Sequence, residues 1–364
     1  MNKNKIFIGP LVGKYGGLSQ HIINIINFSK YHFTTVSPNK FCVRYSSNRI
    51  KKYYISFFKK FHVFYSDIYG IAISRVFFPN SKIVHLHGHP YWPEIFLKPV
   101  TRKAKYIHTV HQIYCKEDCY SNKEWDMKKK LNELMYDSCQ RSDIVISVAK
   151  WQQSLLEGQG IKSVYIPNSI DIKKCEQSNP NIFREKYKFY DDYFIFPGDI
   201  RRSKRTTLFI ELARKMPDKK FIMIGNGMSK DNIINFFKII LPQNVICLGS
   251  LPHNLVLDAF AAARVFVLPS RNETFSISLI EAMGCKKAIV AANNAGPKEI
   301  INDGIDGFLF KPDTIESLYE KALLAWKNPE IGNKAYMKVK SEYDSKIVIK
   351  KLDSLYNNLL NLNR

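Results

Sequence analysis

No stretch of the chain approaches the roughly 18 uncharged apolar residues that a membrane-crossing helix needs, so none is expected. The apolar run in MNKNKIFIGPLVG is broken by Gly9 and Pro10, which does not suit a signal peptide. The seven cysteines form no regular framework, and their odd number argues against a disulfide scaffold and for a cytoplasmic protein. Cys115 and Cys119, with His108 and His111 upstream, lack a standard zinc spacing. His85, His87 and His89 would share one face of a strand, but Pro90 interrupts it, so no metal site is expected there. Gly9 to Lys14 is one residue short of a phosphate-binding P-loop, and Tyr15 stands where a magnesium-binding Ser or Thr belongs. G-x-G-x-x-G is missing, which argues against a dinucleotide fingerprint, and Asp-x-Asp occurs nowhere. Acids are scarce early: Asp67 and Glu94 are the only two in residues 1–105.

What is present suits two globular domains in 364 residues, with 45% hydrophobic and 13% aromatic content excluding disorder. Net charge is +23, and residues 1–190 carry 30 Lys/Arg against 13 Asp/Glu. The first half should therefore face something anionic: phospholipid, a lipid-linked phosphate acceptor or nucleic acid. Nucleic acid is disfavoured because no reader motif accompanies the charge. From Arg49 to Phe78 basic residues interleave with aromatics, as on an interfacial membrane surface or over an ordinary packed helix.

Apolar strands alternate with amphipathic helices in two series. The first opens with Lys5–Gly9, then the pair Gly16 and Gly17 before a helix carrying Ile22, Ile23, Ile25 and Ile26, and ends near residue 178. Residues 172–190 are polar and read as a linker, and Cys115–Lys130 as a mobile loop before a helix over Leu131–Cys139. The second series spans 190–344. The fold class is thus α/β, two doubly wound Rossmann-like domains, which bind ligands at the carboxyl ends of their strands.

Chemistry concentrates in Arg264–Ile301. Val265–Leu268 reads as a buried strand, Arg271–Thr274 as its exit loop, and a helix should start near Phe275. The unpaired amides of Phe275, Ser276 and Ile277 would then suit an anion such as a diphosphate. Glu273 and Glu281 flank them roughly 12 Å apart along the helix, a spacing for gripping two ends of an extended ligand. The same residues also suit a plain helix, with Glu273 favoured by the dipole and Glu281 solvated. Arg201, Arg202, Lys204 and Arg205 follow another strand; they either neutralise a leaving diphosphate or are simply solvated.

The pieces VFVLPS, ETFSISLIEAM, AGPKEI and DGIDGFLF resemble the donor-site signature of the large retaining GT-B glycosyltransferase family, of the group 1, family 4 type. The resemblance implies transfer of a hexosyl unit from a UDP-, GDP- or ADP-sugar to an acceptor hydroxyl with retention, without metal or other cofactor. It assigns catalytic roles to Glu273, His111 and Lys204. Donor binding falls to Gly16, Gly17, Arg201, Arg202, Gly225, Thr274, Phe275, Ser276, Ile277 and Glu281, with Glu273 on the sugar hydroxyls and Glu281 on the ribose. It also implies that residues 345–364 pack back on the first domain. Two positions depart from the pattern: Asp199 where an Arg is usual, and Ser169 where a Gly is usual. With the basic first half, the expected acceptor is lipid-linked or at a membrane surface, and the expected location is peripheral, on the inner face of the membrane. Within the same fold, a nucleotide-sugar epimerase or a phosphorylase is the rival.

Overall fold

A computed structural model describes residues 6–9, 17–37, 40–46, 49–52, 81–87, 104–116, 119 and 121–361. The chain divides into one unit formed by 1–114, 121–169 and 345–364 and a second formed by 115–120 and 170–344.

The first unit contains strands β1 (Ile6–Gly9), β2 (Phe33–Ser37), β3 (Lys40–Ser46), β4 (Arg49–Lys52), β5 (Ile83–His87), β6 (Lys105–Val110), β7 (Ile144–Ser147) and β8 (Val164–Tyr165). They form one sheet in the order β4-β3-β2-β1-β5-β6-β7-β8, in which the β2–β3 and β3–β4 pairs are antiparallel and the other pairs parallel. Ile6, Ile8, Ile83, Ile107 and Ile146 bury one face against Ile22 and Ile25 of the helix Gly17–Phe28 and against Val348, Ile349, Leu352 and Tyr356 of the C-terminal helix Ser345–Asn361. Asp353 ties that last helix down, accepting from Ser29 Oγ at 2.5 Å and Lys30 N at 3.0 Å. Ser169, which stands where Gly is usual, is buried; its carbonyl accepts from Asn24 Nδ2 at 2.8 Å and its hydroxyl from Ser345 Oγ at 3.0 Å. Of the Arg49–Phe78 stretch only β4 lies among the described residues.

The second unit carries β9 (Tyr193–Pro197), β10 (Lys220–Ile224), β11 (Val245–Cys247), β12 (Val265–Leu268), β13 (Ala288–Ala292) and β14 (Phe308–Phe310), all parallel, in the order β11-β10-β9-β12-β13-β14. β12 and β13 are buried at every residue because helices cover both faces, which is why they read as continuous apolar runs. Phe194 stacks on Phe221 at 4.8 Å, and Phe209 meets Phe221 edge-on at 5.3 Å inside one face.

Two expectations need correction. Residues 172–190 are not a bare linker: they form helices Ile172–Glu176 and Pro180–Tyr187 within the second unit. Asn179 caps the latter, Pro180 sits at its first position, Phe183 is fully buried, and the Asn179 amide donates to Asp258 at 2.7 Å. The expected loop before residue 131 also contains structure, a helix running Asn122–Arg141. Ser121 Oγ accepts from Glu124 N at 3.2 Å, so Ser121-Asn-Lys-Glu124 carries the capping-box sequence that marks this start.

Candidate functional site

Strand order sets where the second unit can bind a ligand. β9 and β12 are neighbours whose following connections leave in opposite directions, so a crevice opens at their carboxyl ends. The loops leaving those two strands are the basic loop 198–205 and the loop 269–276. They are joined directly: Arg271 N donates to Ser203 O at 2.8 Å, and Lys204 Nζ meets Glu273 Oε1 at 2.5 Å. The Lys204 and Glu273 side chains are only 18% and 12% exposed, so this pair is well shielded from water.

The other cations are also placed by carboxylates. Arg201 pairs with Asp199 at 2.7 Å, so the acid that departs from the usual pattern holds the neighbouring guanidinium. Arg205 and Arg271 both grip Asp313, Arg271 through Nε at 2.9 Å. Burial alone would raise the Asp313 pKa, but the two guanidiniums outweigh it and hold the carboxyl below its ordinary range. Arg202 is exposed in the short 3-10 turn Arg202–Lys204.

The loop after β13 fixes the backbone around Glu273. Asn294 Nδ2 donates to Ser270 O at 3.0 Å and Arg271 O at 2.7 Å, and Gly296 N donates to Glu273 O at 2.9 Å. A Cβ on Gly296 would stand 2.6 Å from Thr274 O and 2.9 Å from Glu273 O, so only glycine allows this approach. Ser276 has φ 73° and ψ 91°, strain of the kind that concentrates at binding sites. The helix therefore starts at Ile277 rather than Phe275, and Phe275 is buried with its ring against Tyr343 at 5.4 Å. Positive φ recurs at this edge, at Arg205, Gly225, Gly227, Gly249, Ala295 and Asp313.

Glu281 is not a solvated helix residue: it is 6% exposed and accepts a hydrogen bond from His253 Nε2 at 2.6 Å. Burial pulls the His253 pKa down, but the Glu281 carboxylate outweighs it and the net shift is upward. Sequence reasoning misses His253, whose one mark is its place at a helix start after Pro252. Gly225 is at φ 131°, and a Cβ there would lie 1.7 Å from Gly198 O. Close contact with the loop after β9 thus accounts for this glycine.

His111 and Gly17 belong to the first unit, and Gly16 lies outside the described residues. Gly17 opens the helix Gly17–Phe28. His111 follows β6 directly, beside His87 at the end of β5, with 3.1 Å between His111 Nε2 and His87 Nδ1. His21 completes a trio whose ring centroids are 5.0, 5.3 and 5.4 Å apart. Burial lowers the His21 pKa to about 3, and burial followed by the neighbouring imidazoles lowers that of His87, so both are neutral near pH 7. His85 is satisfied elsewhere, by Tyr356 Oη at 2.6 Å and Thr109 Oγ1 at 2.7 Å. His108 pairs with Ser138 Oγ at 3.1 Å, and Cys115 lies in the second unit, 2.9 Å from Asn272 Nδ2.

No described helix is long and apolar enough to cross a membrane. Comparison with known proteins yields two family models, Glycosyltransferase Family 4 over residues 31–174 and Glycosyl transferases group 1 over residues 179–341. The chain is 27% identical over 207 residues to 2-deoxystreptamine N-acetyl-D-glucosaminyltransferase of Niallia circulans, a match covering 56% of this chain and about half (51%) of that relative. It is 24% identical to one subunit of the phosphatidylinositol N-acetylglucosaminyltransferase of Arabidopsis thaliana, across 95% of this chain and 79% of the other. The structure of Anabaena HepE in complex with UDP-glucose matches in fold with a TM-score of 0.73 at 15% identity, covering 98% of this chain and 99% of that one. With the GT-B type of fold in both units and the two models accounting for most of its length, the chain belongs to the group 1, family 4 type of glycosyltransferases.

Proposed function

We propose that this protein moves a sugar from a nucleoside-diphosphate sugar to an acceptor hydroxyl with retention of anomeric configuration, without a metal at the diphosphate. The observation that carries the reading is the Lys204–Glu273 pair, held between two loops that leave adjacent strands at a topological switch point. Breaking the bond between the anomeric carbon and the β-phosphate leaves negative charge on the departing diphosphate. Lys204, Arg201 or Arg202 and the first amides of the helix Ile277–Gly284 would stabilise that charge. Glu273 would take the sugar hydroxyls and Glu281, steadied by His253, the ribose hydroxyls. His111 is assigned to the donor sugar through the resemblance. The acceptor oxygen then bonds to the anomeric carbon on the face the diphosphate leaves, and its proton passes to the departing phosphate oxygen.

A UDP-sugar heads the panel of donors because the fold is shared with a UDP-glucose complex. A lipid-linked or membrane-surface acceptor is our reading of the basic first half, together with a relative whose name specifies phosphatidylinositol. On the same grounds we place the protein in the cytoplasm, peripheral on the inner face of the membrane.

Calorimetric titration with UDP-, GDP- and ADP-sugars in the absence of added metal tests the donor. One clear binder is expected; no binder would return the choice to an epimerase or phosphorylase of the same fold. Proton NMR of the product should show the donor's anomeric configuration, and inversion would refute retention. Replacing Lys51, Lys52, Lys59 and Lys60 by Gln should weaken binding to anionic vesicles while donor affinity holds, and persistence of vesicle binding removes that segment from the membrane face.

A further inference from the structure

Asp313 has no part in the diphosphate, sugar and ribose contacts proposed above, yet it is bonded to both loops that would make the first two. It lies in the connection 311–314 between β14 and the helix Ile315–Lys327. β14 is an edge strand, two places from β12 and three from β9 in the sheet. The Asp313 carboxylate reaches back across that distance with both of its oxygens. Arg205 Nη2 meets Oδ1, and Arg271 donates to Oδ2 through Nε at 2.9 Å and also through Nη2. Burial alone would raise the Asp313 pKa, but the two guanidiniums outweigh it, so the carboxylate is ionised near pH 7.

Each arginine neighbours a residue proposed to work on the donor. Arg205 directly follows Lys204, and Arg271 stands two residues before Glu273. Arg205 joins the 3-10 turn Arg202–Lys204 to the helix Thr206–Lys215 at φ 52°, and Asp313 is at φ 59°. Left-handed backbone is uncommon for residues that carry a side chain, and it persists where surrounding contacts over-determine it. The ion pair between these two residues is such a contact. Arg271 is held at three points: its amide donates to Ser203 O at 2.8 Å, its carbonyl accepts from Asn294 Nδ2 at 2.7 Å, and Asp313 takes its guanidinium. We propose that Asp313 is a positioning residue for sugar transfer: by holding Arg205 and Arg271 it locks the loops after β9 and β12 in register and sets Lys204 against Glu273. The inference rests on the donor reading of that pair. Its effect falls on kcat more than on donor affinity, because the Lys204 charge is needed most as the diphosphate departs.

Asp313→Asn is the variant to test. Asn keeps the shape and tolerates left-handed backbone as Asp does, so the charge is what is lost. With the donor found by calorimetry, kcat should fall about 10–100-fold, the scale on which displacing a catalytic group costs rate. The donor Kd should move much less. A brace that only supports the fold would act independently of Lys204, so a double-mutant cycle separates the two roles. In a Lys204→Ala background Asp313→Asn should cost little further kcat; additive losses, or full kcat in the single variant, would overturn the positioning role. Circular dichroism and thermal melting check folding, and Arg271→Gln, at a half-buried side chain, should lower kcat in the same direction by less. Amide hydrogen exchange needs no donor: exchange in loops 198–205 and 269–276, the Arg271 N–H included, should quicken in Asp313→Asn. Exchange as slow as in wild type would overturn the clamp itself, whereas failure of the wild-type protein to bind any nucleotide sugar would refute the transfer reading instead.

Discussion

The two sheets carry opposite chemistry at equivalent places. At the carboxyl edge of the first, buried imidazoles gather, and burial keeps His21 and His87 neutral near pH 7. At the carboxyl edge of the second, Lys204, Arg201, Arg205 and Arg271 stand paired with Glu273, Asp199 and Asp313. The strand order explains why both edges are functional candidates, since each sheet reverses direction there, between β1 and β5 and between β9 and β12. Side chains then decide what each edge suits. Charges already held in pairs are pre-organised for an anion that takes over one partner, whereas neutral imidazoles suit hydrogen bonds to an uncharged polar ligand.

Removing the charge from the second edge should erase the contrast and have the largest effect. Lys204→Ala is expected to lower kcat/KM by about 10²–10³-fold, the scale for losing one preorganised group that stabilises transition-state charge. Glu273→Gln should fall in the same direction. Steady-state kinetics on the identified donor checks both, with urea unfolding to confirm that the variants fold. Retention of full kcat/KM by Lys204→Ala would take the pair out of the chemistry.

A smaller effect should come from the scaffold under that pair. Gly296→Ala places a methyl 2.6 Å from Thr274 O and 2.9 Å from Glu273 O, so the loop after β12 must move. We expect a loss of about 1–3 kcal/mol in stability, the range for overpacking a tight site. Donor affinity should drop with it, because Glu273 loses its register with Lys204. A urea midpoint equal to wild type would show that the loop yields freely.

Much of this is legible in the sequence where burial leaves a simple mark. β9, β12 and β13 read as strands because helices cover both of their faces and demand apolar residues throughout. The loops after β9 and β12 read as a site because their charges interrupt those runs. The helix Pro180–Tyr187 is hidden by its polar composition, since one buried Phe183 suffices to anchor it. The His21–His87–His111 trio cannot be read from spacing, because its members come from different elements and meet only through strand order. Period-two spacing points instead to His85, whose nitrogens are taken by Tyr356 and Thr109. The His253–Glu281 contact is hidden for the same reason, joining the starts and turns of two different helices.

That contact gives the smallest predicted effect and the finest distinction between the two edges, for it is the place in the second sheet's unit where an imidazole is held toward its charged form. Burial disfavours the imidazolium of His253, yet the Glu281 carboxylate raises the pKa above its ordinary value. A group whose pKa is higher in the folded state contributes stability that is fully present below the unfolded pKa, near 6.5 for His, and is lost as pH rises through the raised value. Glu281→Gln removes the carboxylate, so the stability gap between wild type and variant should be widest in mild acid and narrow toward mildly alkaline pH. Thermal melting of both proteins across about pH 5.5 to 8.5 reads that gap, and a gap independent of pH would mean the pair is not ionised as inferred. In donor calorimetry the same variant should lose about 1–3 kcal/mol of affinity, the scale for a hydrogen bond to a charged group. Unchanged affinity would leave Glu281 as a partner of His253 alone and remove it from the ribose.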